Sequence, residues 1–187
     1  MLDFSTDNMY SEHMAKLVSW HRYYTRFWKQ SMLLCDNRWP DFINSYAPDM
    51  IGSTGEAEPL FLNIVTGKNI TFLDGIELGR KIWNLDHAIW TLQGRHRDMV
   101  KYADYIYDIP AGRTDKTFFV RKDGVVTASG IEERSVDRQK FEEFKTVFYK
   151  LQGWDTATGY PTRSTLKSLG LGYVADELEK NNRLGQG

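Results

Sequence analysis

Apolar residues recur at helical intervals along most of the chain. Near the start, Met14, Leu17, Val18, His21, Tyr24, Trp28 and Met32 repeat at steps of mostly three and four, which predicts a helix from about Thr6 to about Cys35. A loop then runs through Pro48, and Ser53 with Glu56 three residues later reads as a capping box opening a short helix that stops at Gly67. The clearest pattern lies between Thr71 and Gly94. Thr71 and Asp74 mimic a second capping box, Leu78, Ile82, Leu85, Ile89 and Leu92 repeat at intervals of 4, 3, 4 and 3, and Gly94 suits the left-handed residue after a last turn. A shorter helix is expected from Asp98 to Tyr107, before Pro110. TFFVRKDGVV, Thr117 to Val126, is different: β-branched and aromatic residues flank Asp123 and Gly124, the local signal of a β-hairpin. After Ser135 the helical period returns, with Phe141, Phe144, Phe148 and Leu151 on one face up to Gly153. A Gly/Pro turn, a short helix ended by Gly170 and a final helix through Leu178 complete the chain. The expected fold is mainly α with one small β-hairpin, organised as a single helical domain over residues 1–187.

Composition changes this picture in one respect. With 6 Trp, 10 Tyr and 10 Phe the chain is rich in rings, and Trp20, Tyr23, Tyr24, Phe27 and Trp28 place them on nearly every side of one segment. A helix that is apolar all round is normally enclosed, so part of this polypeptide is expected to be covered by something larger than itself. Charge excludes more than it suggests. The 24 Lys+Arg against 25 Asp+Glu give a net charge of -1, no electrostatic case for nucleic acid or an anionic membrane. With no membrane-length apolar run and no leader pattern, the expectation is a soluble cytoplasmic protein without a membrane span.

No self-sufficient active site is visible. His13, His21, His87 and His96 form no HExxH motif, and His87, inside a capped amphipathic helix, is expected to make only a local hydrogen bond. The sequence has no P-loop, dinucleotide-binding glycine fingerprint or GxSxG elbow. Glu132, Glu133, Glu142 and Glu143, flanked by Arg134, Arg138 and Lys140, read as a solvated face. The single cysteine, Cys35, excludes an internal disulfide framework. It is either a small buried hydrophobe or, at a helix end beside a turn, a thiolate ligand for a soft metal or an iron–sulfur cluster. One thiolate cannot hold a cubane, so further ligands would come from another part of the molecule or another subunit.

Three segments carry a family resemblance. GWDTATGYPTRSTLKSLGLGYVADEL, Gly153 to Leu178, resembles the C-terminal signature of the tungsten-containing aldehyde ferredoxin oxidoreductase family, which includes the class II benzoyl-CoA reductase tungsten subunit. ELGRKIWNLDHAIWTLQGRHR, Glu77 to Arg97, resembles that family's long helix with its following glycine and basic residues. QSMLLCD, Gln30 to Asp36, resembles the motif D-x-x-G-L-C, with Gln30 in place of the aspartate and Leu33 in place of the glycine. The resemblance implies a helical C-terminal domain, either the end of a larger enzyme or a subunit completing one, that is not active alone. It implies two cofactors, tungsten bis-pyranopterin (tungstopterin) and a [4Fe-4S] cluster. By position, Cys35 would be the fourth cluster ligand, Leu34 would contact a pterin through its backbone, and Gln30 would stand where an aspartate binds pterin. The implied partners are the N-terminal and middle domains or a companion subunit, ferredoxin or an electron-transfer subunit, and a small-molecule substrate. The implied activity interconverts aldehydes and carboxylic acids; the alternatives are aromatic ring reduction as in a class II benzoyl-CoA reductase, or a cofactor-free helical interaction module. No catalytic acid or base is assigned, because the groups that handle protons in this family lie upstream of the matching segments.

Overall fold

The computed structural model describes residues 6–34, 57–110, 117–130 and 135–187. Within them the chain is mainly helical. Helix α1 (Thr6–Met9) leads into α2 (Glu12–Tyr24), whose N-cap Ser11 accepts a hydrogen bond from the Met14 amide at 3.1 Å. The helix does not continue uniformly to its expected end: Thr25–Lys29 widens into a π-helical turn before the coil tightens again and unwinds after Ser31. Helix α3 (Ala57–Thr66) ends before Gly67, which takes φ 68°. The Ser53–Glu56 box expected to open it lies outside the described residues.

Helix α4 (Phe72–Leu92) begins at the expected capping box, with the Asp74 amide donating to Thr71 Oγ1 at 3.2 Å and the Thr71 amide donating to Asp74 Oδ2 at 2.9 Å. Gly94 follows its last turn at φ 102°, as expected. The buried face differs from the expected one. Leu78, Ile89 and Leu92 are 39–46% exposed, whereas Gly75, Gly79, Trp83, Asn84, His87, Ala88 and Thr91 are buried. The cause is close approach by α2 and its π-turn: a Cβ at Gly79 would overlap the Tyr23 carbonyl oxygen, and one at Gly75 the Trp28 ring. Only the small-residue face admits that distance, so the leucine stripe is turned partly outward.

The helix expected over Asp98–Tyr107 is instead a 3-10 turn at Arg97–Met99 and a separate α5 (Asp104–Asp108). Strands β1 (Thr117–Lys122) and β2 (Val125–Gly130) pair antiparallel with Lys122 opposite Val125. Their two-residue turn has positive φ at both Asp123 (52°) and Gly124 (80°), the geometry whose twist matches that of the strands. Helix α6 (Arg138–Gln152) ends at Gly153, φ 69°. Its phenylalanine stripe is half-buried; Lys145, Tyr149 and Gln152, one position further round, sit deepest. Helices α7 (Arg163–Ser168) and α8 (Gly172–Lys180) close a cluster of Leu166, Leu171, Val174, Ala175 and Leu178 against Ala88 of α4. Among the described residues, no helix is long and apolar enough to cross a membrane.

Candidate functional site

The segment Gln30–Leu34 forms the end of the first long helix. Its backbone closes with the Leu34 amide donating five residues back to the Lys29 carbonyl at 2.9 Å, one of the two bonds of a Schellman ending. That closure requires a left-handed residue just before it, and Leu33 supplies it at φ 56° although it carries a Cβ. The Leu33 side chain gains nothing in return, being 92% exposed. Gln30 is also exposed and Leu34 half-buried, so the turn presents itself at the end of the helix. Because the Leu34 N–H is committed to Lys29, any further backbone contact at Leu34 falls to its carbonyl. Cys35 lies outside the described residues.

Beneath the turn sits a cluster that sequence reasoning missed. Lys29 and Glu58 are almost fully buried (3% and 2% exposed), and the Tyr24 hydroxyl donates to Glu58 Oε1 at 2.6 Å. The Lys29 ammonium lies 5.9 Å from the Tyr24 ring centroid. Trp28 stacks on Phe72 and donates from Nε1 to the Phe72 carbonyl at 3.1 Å. These contacts join the π-turn to α3 and the start of α4 and hold the base of the Gln30–Leu34 turn. No local pattern marks Lys29 and Glu58 as buried together, since they are 29 residues apart in the sequence.

A second polar set joins α4 to the C-terminal signature segment. Trp154 Nε1 donates to Asn84 Oδ1 at 2.8 Å, and His87 Nε2 donates to the Gly159 carbonyl at 2.7 Å. The His87 ring lies flat on Trp154 at 3.6 Å between centroids. Contrary to the expected local bond, the imidazole therefore bridges elements 72 residues apart. Burial disfavours its charged form and lowers its pKa to about 4, outweighing the Gly159 bond, with Arg95 adding a repulsive charge. Asp155 folds the signature loop by accepting from the Ala157 and Thr158 amides and the Thr158 hydroxyl. Burial opposes its charge, yet these hydrogen bonds prevail and hold its carboxyl below the usual range. Gln152 completes the set: Oε1 accepts from Tyr23 and Trp83, and Nε2 donates to Ser19.

The structure therefore brings Gln30 and Leu34 together on one turn. Of the four acidic residues read as a solvated face, Glu142 and Glu143 are exposed, and Glu132 and Glu133 lie outside the described residues. Glu142, the one of these with described ion-pair contacts, meets Lys145 at 2.6 Å and Arg97 at 3.2 Å. Among the described residues, no three His, Cys, Asp or Glu side chains gather as a metal-binding group.

Residues 2–171 match the family model described as aldehyde ferredoxin oxidoreductase, domains 2 & 3. Among solved structures, the chain is similar to the active-site complex BamBC of benzoyl-coenzyme A reductase in complex with 1,5-dienoyl-CoA. The TM-score is 0.63 at 18% identity, covering 100% of this chain and 24% of that one. That likeness is one of fold.

Proposed function

Because the chain belongs to the aldehyde ferredoxin oxidoreductase family, a family of oxidoreductases, we propose that it forms the C-terminal part of a cytoplasmic tungstopterin enzyme interconverting aldehydes and carboxylic acids. In this reading the turn Gln30–Leu34 and the adjoining Cys35 complete a pterin and [4Fe-4S] site whose other ligands come from preceding domains or a companion subunit. When bound, tungsten and its pterins supply two-electron chemistry at a carbonyl carbon, and the cluster passes electrons singly to ferredoxin or an electron-transfer subunit.

The observation that carries the reading is the left-handed backbone at Leu33. A glycine at this position of the motif would suit such a left-handed residue, which supports reading the segment as the motif's turn, with Leu33 as a departure from it. The residues present fit the group. Cys35 directly follows the turn and supplies the thiolate, while the Leu34 carbonyl is an acceptor for a pterin N–H. Gln30 offers a carboxamide oxygen in place of a carboxylate, an acceptor without the charge that would strengthen the bond. The buried Tyr24–Glu58 bond and the Trp28–Phe72 stack fix the helix end that carries Gln30 and Leu34.

Two observations support a larger assembly. The chain spans about a quarter of the length of the solved relative, and apolar side chains of α3 and α4, among them Leu60, Ile64, Val65 and Leu73, stand 58–83% exposed. The fold likeness to benzoyl-coenzyme A reductase supports a second reading, reduction of an aromatic ring, and assaying an aldehyde against an aromatic thioester separates the two.

The test is Cys35→Ala in the assembled enzyme, with Cys35→Ser beside it. Loss of the cluster's iron and of electron transfer to ferredoxin, with the helical circular dichroism retained, is the expected result. Iron content and activity equal to wild type would exclude Cys35 as a ligand.

A further inference from the structure

Between α2, α4 and α6 lies a cavity of about 200 Å³ that the cofactor reading leaves unused. Aromatic rings form much of its wall. Phe148 stands edge-on to Trp154 at 81° and 6.0 Å between centroids, and Trp83 is inclined to Trp154 at 31° and 6.0 Å. Such a mixture of faces and edges suits a planar ring, which can stack on one neighbour and meet another edge-to-face.

The charged groups at the cavity are of one sign. Arg22, Arg95 and Lys145 line it, and among the described residues no Asp or Glu does. Lys145 is already satisfied by Glu142 at 2.6 Å and the Val100 carbonyl at 2.9 Å. Arg22 and Arg95 have no carboxylate partner among the described residues. Each lies by an indole instead, Arg22 at 5.5 Å from the Trp83 centroid and Arg95 at 4.9 Å from that of Trp90. A guanidinium beside a ring still has planar N–H donors, the fork that fits a carboxylate.

Size narrows the occupant further. Sites for drug-sized ligands run to roughly 300–1,000 Å³, and this cavity holds less. We propose that it binds a single-ring aromatic anion of the aromatic carboxylate class, with the ring among Trp83, Phe148 and Trp154 and the carboxylate on Arg22 and Arg95. This inference stands on the cavity alone and does not depend on tungstopterin or Cys35.

The probes are benzoate, cyclohexanecarboxylate, which keeps the charge without the π-face, and benzamide, which keeps the ring without the charge. Each is titrated by calorimetry and tryptophan fluorescence into the protein in the assembly in which it is isolated. Benzoate is expected to bind saturably and about tenfold more tightly than either analogue, in keeping with a charge-assisted fork combined with ring contacts. Arg22→Gln and Arg95→Gln are each expected to weaken benzoate by roughly tenfold and to leave benzamide unchanged. No saturable benzoate binding at millimolar concentration, equal binding of all three probes, or unchanged binding in both variants overturns the proposal. So does binding to the isolated chain that disappears in the assembled enzyme, because protein then fills the cavity. Metal content is independent of this titration, so failure here and failure of the cofactor reading are distinguishable.

Discussion

Replacing His87 by leucine tests whether a neutral, buried imidazole clamps α4 to the signature loop. The substitution removes the Nε2 donor to the Gly159 carbonyl, at 2.7 Å, and the face stacked on Trp154 at 3.6 Å. A buried hydrogen bond is worth about 1 kcal/mol net, with an added penalty for the carbonyl left unpaired, and a ring pair contributes roughly 0.5–1.5 kcal/mol. The expected cost at neutral pH is therefore about 2–3 kcal/mol. The pH dependence follows from the lowered pKa. The folded ring titrates at about 4 and the unfolded one near 6.5, so above the upper value both states are neutral and the clamp is fully present. Between the two values the unfolded chain takes up a proton that the folded chain refuses, and stability falls by about 1.4 kcal/mol per pH unit, roughly 3 kcal/mol in all. The leucine variant lacks this loss. Urea denaturation of both proteins from neutral pH to about pH 4.5 should therefore show the wild-type advantage shrinking to near zero on acidification. An advantage that stays constant over that range would refute the buried neutral clamp.

Three further substitutions probe the packing that positions the turn. Gln152→Leu strands the Tyr23, Trp83 and Ser19 groups that now bond to the amide, and it should cost about 2–4 kcal/mol, seen as a melting point lowered by roughly 10 °C. Gly79→Ala drives a Cβ into the Tyr23 carbonyl, so α2 and α4 must separate; a loss of about 3 kcal/mol or more is expected in chemical denaturation, and wild-type stability would contradict the close crossing. Leu33→Gly removes the Cβ from a left-handed residue with an exposed side chain and should stabilise by roughly 0.5–1 kcal/mol; a destabilised variant would mean that Leu33 is not strained.

Short-range rules were the most legible part of the chain. The Thr71–Asp74 capping box and the Asp123–Gly124 turn depend on atoms within a few residues, and both formed as read. Periodicity identified α4 but chose the wrong face, because a run of leucines says which residues are apolar and not from which side a neighbour arrives. The informative row held Gly75 and Gly79, where a Cβ would run into the π-turn and α2, followed by Asn84, His87 and Ala88, which face the C-terminal elements. Asn84 and His87 in that row could have signalled a polar bridge, though its acceptor at Gly159 lies far along the chain. Lys29 and Glu58 carried no such signal, since their burial depends on α3 returning over the π-turn. At the candidate site, the resemblance sets Leu33 against a motif glycine, and only the backbone angle showed that Leu33 itself is left-handed. Cys35 lies one residue beyond the described turn.

The most direct test is elemental analysis of the untagged protein purified without oxygen from its native source, together with its companion domains or subunit. Tungsten and iron are measured per assembly, and pterin is detected after release. Copurifying tungsten, pterin and iron, with the iron lost on Cys35→Ala, is the predicted result. A fully assembled protein that carries no pterin and no iron would contradict a cofactor role for the Gln30–Cys35 segment.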